Sequence, residues 1–210
     1  MNNLLLGFDC RLVFSDKARS AWDWQRRELY LLKTDIDLPI SVDTAVSPSI
    51  FDFDTVDVDA EKIHLQPSDF HQQALRLWRD LASMQHNLPD DEELRSTMTI
   101  AIQLHYENLD ANDWWRDFAA ETVTPADLGS DWLSIGFDVA DRYLTSALSN
   151  CGYEQEEKKQ AGANLGSDIN EWGLISSVGR ADAFRVASDS RVQEHAPFFV
   201  FEIFQFKGHA

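Results

Sequence analysis

The run Asp52-Phe53-Asp54-Thr55-Val56-Asp57-Val58-Asp59 sets four carboxylates among apolar residues, two or three positions apart. Carboxylate oxygens at that density could hold a calcium ion. The turn glycine and the bidentate glutamate of a calcium loop are missing at the spacing that would make such a site specific. The run also fits a solvated edge strand or loop whose charges discourage edge pairing. It fits equally a docking ribbon, in which Phe51, Phe53, Val56 and Val58 anchor the segment while the carboxylates meet Lys or Arg of a partner. The sequence leaves all three readings open.

Other chemistry-bearing residues are scattered. His64 with His71, or His105 with Glu107, could share a site. Neither spacing matches the helical two-His motif of metal enzymes, so core or surface histidines are the plainer expectation. Cys10 and Cys151 are too few and too far apart for a disulfide framework or a thiolate metal site. They are expected to be buried as small apolar residues. Gly129, Gly152, Gly162, Gly166, Gly173 and Gly179 form neither a dinucleotide fingerprint nor a P-loop, and no Gly-x-Ser-x-Gly elbow occurs. No catalytic residue, metal ligand or cofactor is therefore assigned, and the expectation is a protein that is not an enzyme.

What remains is charge. The chain carries a formal net charge of −18, and its placement is uneven. Between Thr34 and Glu61 lie eight acidic residues and no Lys or Arg; between Glu107 and Asp141 nine acidic residues face Arg116 alone. Each stretch has a net of −8, leaving −2 for the other 147 residues. Concentrated like charge repels itself, but it also steers a cationic partner and speeds encounter. The partner expected is thus a basic protein, with Asp52, Asp54, Asp57, Asp59 and Glu61 of the first stretch as contacts, and Asp110, Asp113, Trp114 and Asp117 of the second. Trp114-Trp115 reads either as an interface anchor or as one core and one half-buried ring. Nucleic acid is not expected as a ligand, because a pI near 4.5 repels phosphate and no basic stripe offsets it.

The frame for these residues is a folded one. A content of 44% hydrophobic and 11% aromatic residues is too high for a disordered acidic tail, and 210 residues suit one domain covering 1–210. Met1–Asp9 has no basic n-region and its apolar run is short, and no segment reaches the roughly 20 apolar residues of a membrane span. A cytoplasmic protein with no membrane partner is expected.

Leu4, Leu6, Phe8, Cys10, Leu12 and Phe14 alternate as in a strand with one apolar face. Ser15-Asp16 could cap a helix carrying Ala18, Trp22, Leu29 and Leu32, although Leu29–Leu32 also suits a strand. Ile63-His64-Leu65 returns to a sheet pattern. Phe70, Ala74, Leu77, Leu81 and Met84, spaced four-three-four-three, predict a helix between Pro67-Ser68 and Pro89. A short helical start near Asp90–Glu93 leads into a strand through Met98, Ile100, Ile102, Leu104 and Tyr106. Further helices are expected near 112–118, 139–149, 154–161 and 181–194, and strands at 132–138 and 198–206. The last strand is apolar on both faces, so helices should cover the sheet. The fold expected is α+β, a single domain with a mixed or antiparallel sheet covered by helices and no internal repeat.

Some segments are familiar. Ile135-Gly136-Phe137-Asp138-Val139-Ala140-Asp141-Arg142-Tyr143-Leu144, with Asn150-Cys151-Gly152-Tyr153 and His195-Ala196-Pro197-Phe198-Phe199-Val200-Phe201, resembles small bacterial proteins, among them immunity proteins of polymorphic or contact-dependent toxin systems. The resemblance covers about a third of the chain. It implies a cytoplasmic inhibitor that binds one cognate toxin; such proteins share no common binding residue, so it transfers no site. The alternatives are a general acidic protein-interaction module and a metal-dependent enzyme using the acidic tracts.

Overall fold

The computed structural model describes residues 2–12, 63–65, 76–88, 97–106, 128–141, 147, 168, 170, 172 and 174–208. They form β1 (Asn2–Leu12), β2 (Ile63–Leu65), β3 (Arg76–Trp78), α1 (Leu81–His86), β4 (Thr97–Tyr106), β5 (Trp132–Asp141), α2 (Val178–Arg191) and β6 (Phe198–Phe206). Among the described residues these six strands make one antiparallel sheet, ordered β2-β3-β1-β4-β6-β5. The expected α+β class is found, and the first and last apolar strands do join a single sheet. No helix among the described residues is long and apolar enough to cross a membrane.

Period-two alternation builds two different faces. On the first, Leu4, Ile100, Ile102, Leu104, Phe201 and Ile203 form one continuous apolar layer, closed by Leu77 and Leu174. On the second, apolar residues divide into two patches. Val139, Phe198 and Val200 lie under Ala181 and Phe184 of α2, while Leu5, Phe8, Cys10, Trp78 and Ala101 lie with Met84 of α1. Cys10 is buried as its type suggested. Each fully buried Leu, Ile or Phe contributes about 1.5–3 kcal/mol, so the doubly covered strands β4 and β6 are where stability concentrates.

The apolar face of β1 is not the simple alternation its sequence suggested. A β-bulge between Leu5 and Gly7 adds one residue against β4 and shifts the phase. Leu4 and Leu6 therefore join the first-face layer, whereas Phe8 and Cys10 join the opposite side. Asp9 falls on the inner side, fully buried, with its Oδ1 accepting from the Cys10 N–H at 2.8 Å.

The same device recurs in β5. Ser134 and Gly136 flank a second bulge, Asp138 is fully buried, and its Oδ1 accepts from the Val139 N–H at 2.8 Å. Gly7-Phe8-Asp9 and Gly136-Phe137-Asp138 occupy equivalent places: Gly7 pairs with Ile102 and Gly136 with Ile203, while Ile102 and Ile203 pair with each other. Outside each Gly-Phe-Asp a short segment crosses antiparallel, Trp78 opposite Phe8 and Ile175 opposite Phe137. Each crossing is followed after one further residue by a capping position, Asp80 or Ser177, and then by a helix and a strand of the central sheet. The sequence shows no repeat, yet the two strands share this local arrangement. A local twofold through the Ile102–Ile203 pair relates β1, the β3 crossing, α1 and β4 to β5, the single bridge at Ile175, α2 and β6; among the described residues β2 has no counterpart, and α1 has 6 residues against 14 in α2. Only three consecutive residues match between the two strands, too few to register as a repeat in the sequence.

The helix expected between Pro67 and Pro89 is corrected. Its centre is strand β3, with Leu77 and Trp78 pointing into opposite faces of the sheet, and the helix begins only at Leu81. Asp80 caps it by accepting from the Ser83 N–H at 2.7 Å. The four-residue spacing of Leu77 and Leu81 is real, but the two side chains enter different clusters, because pairing with β1 outweighs helical propensity in so short a segment. The helix expected from Val139 is also corrected. Val139, Ala140 and Asp141 continue β5, opposite Val200, Phe199 and Phe198. The helix expected at 181–194 is α2, and the strands expected from Met98, Trp132 and Phe198 are found. The helices expected near 15–32, 112–118 and 154–161, the helical start at 90–93 and Cys151 lie outside the described residues.

A Cβ on Gly7 would lie 2.7 Å from the Trp78 carbonyl oxygen and 2.8 Å from Leu77 Cβ; on Gly136 it would lie 2.7 Å from Leu174 Cβ and 2.8 Å from Asn170 Nδ2. Both glycines also have positive φ, 156° and 136°. Gly7→Ala and Gly136→Ala should therefore each cost more than about 2 kcal/mol, by overpacking and backbone strain together. Gly129→Ala, where a Cβ meets nothing within 4 Å, should be near neutral in the same urea-unfolding series. Equal stability of the three variants would show that the crossings are not the tight points of the sheet.

Candidate functional site

The predicted contacts Asp52, Asp54, Asp57, Asp59 and Glu61, and Asp110, Asp113, Trp114 and Asp117, lie outside the described residues, as does the 52–59 run as a calcium candidate. Among the described residues no group of three or more His, Cys, Asp or Glu is placed to hold a metal ion. The polar cluster that the fold does assemble is a different one.

It lies on the second face, between the two apolar patches. His105 of β4 is opposite Val200 and Glu202 of β6 is opposite Gln103, so the histidine and the glutamate are diagonal neighbours. His105 Nε2 and Glu202 Oε2 are 2.5 Å apart, with side chains only 10% and 13% exposed. The Phe137 ring stands edge-on to His105 at 5.5 Å, and Asn3 Nδ2 donates to Gln103 Oε1 at 3.3 Å. His105 Nδ1 is buried and makes no hydrogen bond among the described residues. With Nε2 protonated, the carboxylate orients the ring and Nδ1 presents a lone pair, as in a general base. Among the described residues no hydroxyl or thiol is bonded to that nitrogen, so the pair lacks the nucleophile of a hydrolytic site.

A second His–carboxylate pair sits at the end of the same face. Asp141, 1% exposed, meets His195 Nδ1 at 2.8 Å, which ties the turn after α2 to the last residue of β5. Glu107, which the sequence allowed but did not favour as a companion of His105, lies outside the described residues; the partner found is 97 positions away. One signal could have marked it. Glu202 interrupts Phe198-Phe199-Val200-Phe201 and Ile203-Phe204, an acid inside a strand apolar on both faces.

Compared with known protein families, with curated proteins and with solved structures, the chain matches none.

The pseudo-twofold supplies an internal comparison instead. The axis carries His105 onto Phe206, Gln103 onto Phe204, Glu202 onto Ala101 and Asn3 onto Trp132. One end of the second face is therefore the polar set around His105 and Glu202. The other is an aromatic set in which Trp132 lies 5.0 Å from Phe206 and 5.5 Å from Phe8. The same backbone frame accepts either filling. Apolar filling is the cheaper one, since ions removed from water lose hydration that pairing only partly restores.

Charge divides in a related way. Asp138 and Asp141, two of the nine acids in the 107–141 stretch, are buried in β5 and do not belong to an acidic surface. Other scaffold acids are matched locally: Arg185 bonds Asp182 at 2.8 Å and Asp189 at 2.9 Å, and Arg180 pairs with Asp168.

Glu202→Ala alone should cost about 1–3 kcal/mol by leaving His105 unmatched in a mostly dry position. The double variant His105→Phe with Glu202→Ala copies the residues across the axis and should recover at least half of that loss in urea unfolding. A double variant that loses the sum of the two single losses would show that the pair is a structural tie and that its end of the face does not accept apolar filling.

Proposed function

We propose that this protein is a toxin-neutralising immunity protein, which binds a cognate bacterial toxin stoichiometrically and occludes its basic working face. The observation that carries this reading is the uneven placement of charge along the chain, a net of −8 in each of two stretches, Thr34–Glu61 and Glu107–Asp141, against −2 over the other 147 residues. A sheet protein gains no stability from such an excess, because like charges repel; a binding protein gains rapid, salt-dependent capture of a cationic partner. A toxin that acts on nucleic acid must present such a cationic face, and an acidic inhibitor seated there excludes the substrate. In this reading Asp52, Asp54, Asp57, Asp59 and Glu61 meet Arg and Lys of the toxin, with Asp110, Asp113, Trp114 and Asp117 as the second contact set. The protein performs no reaction of its own, and it acts in the cytoplasm, where the toxin acts.

Coexpression with the product of an adjacent toxin gene is the direct test, with protection of the host and a one-to-one complex expected. Loss of both would end this reading. Within the complex, the triple variant D54K/D57K/D59K should slow association by about tenfold or more and flatten its dependence on salt, with the dissociation rate less affected. The measurement is stopped-flow or surface-based association at several ionic strengths, with circular dichroism as the control for the fold. An unchanged association rate would remove the first acidic stretch from the interface.

A further inference from the structure

The two Gly-Phe-Asp strands repeat more than a local turn. Gly7 and Gly136 each sit after a bulge, each with a leucine Cβ (Leu77 or Leu174) and a carbonyl oxygen (Trp78 or Ile175) pressed against the bare Cα. Asp9 and Asp138 make the same bond to the following N–H. Pairing of β4 with β6 is symmetric about Ile102–Ile203: Ile100 with Gln205, Ala101 with Phe204, Gln103 with Glu202, Leu104 with Phe201. Any regular antiparallel ladder has such a local twofold; what is particular here is that both bulged glycines fall opposite the same pair, Gly7 on Ile102 and Gly136 on Ile203, so that the rotation relates their surroundings too, as in an isologous interface where one surface meets a second copy of itself.

We infer that the chain is a fused pair of copies of one unit of strand, crossing segment, helix and strand, and that the β4–β6 seam is the surface through which two such units pair. As separate chains, two identical units would place the same residues at both ends of the second face. Fusion lets the ends differ, and here one holds His105 and Glu202 while the other holds Phe206 and Ala101. The asymmetry of that face is thus a consequence of fusion, independent of whether a toxin is the partner.

The rotation that lays Gly7 on Gly136 also lays the end of β4 on the end of β6, and the start of β1 on the start of β5. The way from β6 back to β1 therefore has the length of the way from β4 to β5, which residues 107–131 span. A circular permutant that runs 128–210, then 107–127, then 1–106 uses every residue of the chain and moves one connection to its symmetry-related place. It should unfold cooperatively in thermal circular dichroism, with a midpoint within about 5 °C of the parent's.

As a second measurement, a protease site placed within 107–127 of the parent is cut after folding. The two pieces should elute together at the parent's volume. A permutant without a cooperative transition would overturn the inference, since in an unduplicated fold nothing makes the two gaps equal. So would cut halves that separate, because the seam would then not be a surface that holds two units. Both readouts are of folding and association in the absence of toxin, so failure here and failure of the immunity reading, which is tested on the parent chain, are distinguishable.

Discussion

The close approach of a leucine Cβ and a carbonyl oxygen to a bare glycine Cα, made once at Gly7 and again at Gly136, constrains everything else in this sheet. Each approach needs the extra residue of the preceding bulge, and each bulge reverses which side chains face inward. Phe8 and Phe137 thereby reach the second face, under α1 and α2, while Asp9 and Asp138 are turned into the interior. A buried carboxylate is tolerable only where hydrogen bonds replace lost water, and the following N–H supplies one in both strands. The phase reversal, the helix docking and the buried acids are one coupled arrangement, used twice.

That arrangement also explains where function has room to act. Among the described residues the first face is continuous apolar core, with the inward carboxylates and Asn170, which donates to the Ile135 carbonyl, as its polar groups. The second face is partitioned by its two helices, and between the patches one end is aromatic and the other carries the His105–Glu202 pair. Asp9, Asp80 and Asp138 accept from backbone N–H groups, and Glu202, Asp141, Asp168, Asp182 and Asp189 meet His105, His195, Arg180 and Arg185.

Much of the frame was legible in the residues. Strands β1, β4 and β6 are long and strongly apolar, and a ten-residue strand with partners on both sides overrides local ambiguity. Helix α2 was legible because Ala181, Phe184 and Ser188 keep helical spacing along its buried side. The segment from Phe70 to Met84 misled because Leu77, Leu81 and Met84 satisfy helical spacing while belonging to two elements on either side of Asp80. Of the polar cluster, His105 was singled out only with Glu107 as a possible companion, since spacing along a chain reveals nearby partners and not those joined by strand pairing.

By itself the sequence determined the long strands β1, β4 and β6, the α+β class, the regional acidity and the absence of recognisable catalytic spacing, because these depend on local periodicity and composition. Only the tertiary structure decided the pseudo-twofold, the inward turn of Asp9 and Asp138, and the meeting of His105 with Glu202. Those depend on register across strands. A single inserted residue in a strand moves every later side chain to the opposite face, a change that alternation along one strand does not reveal until its neighbour is paired beside it.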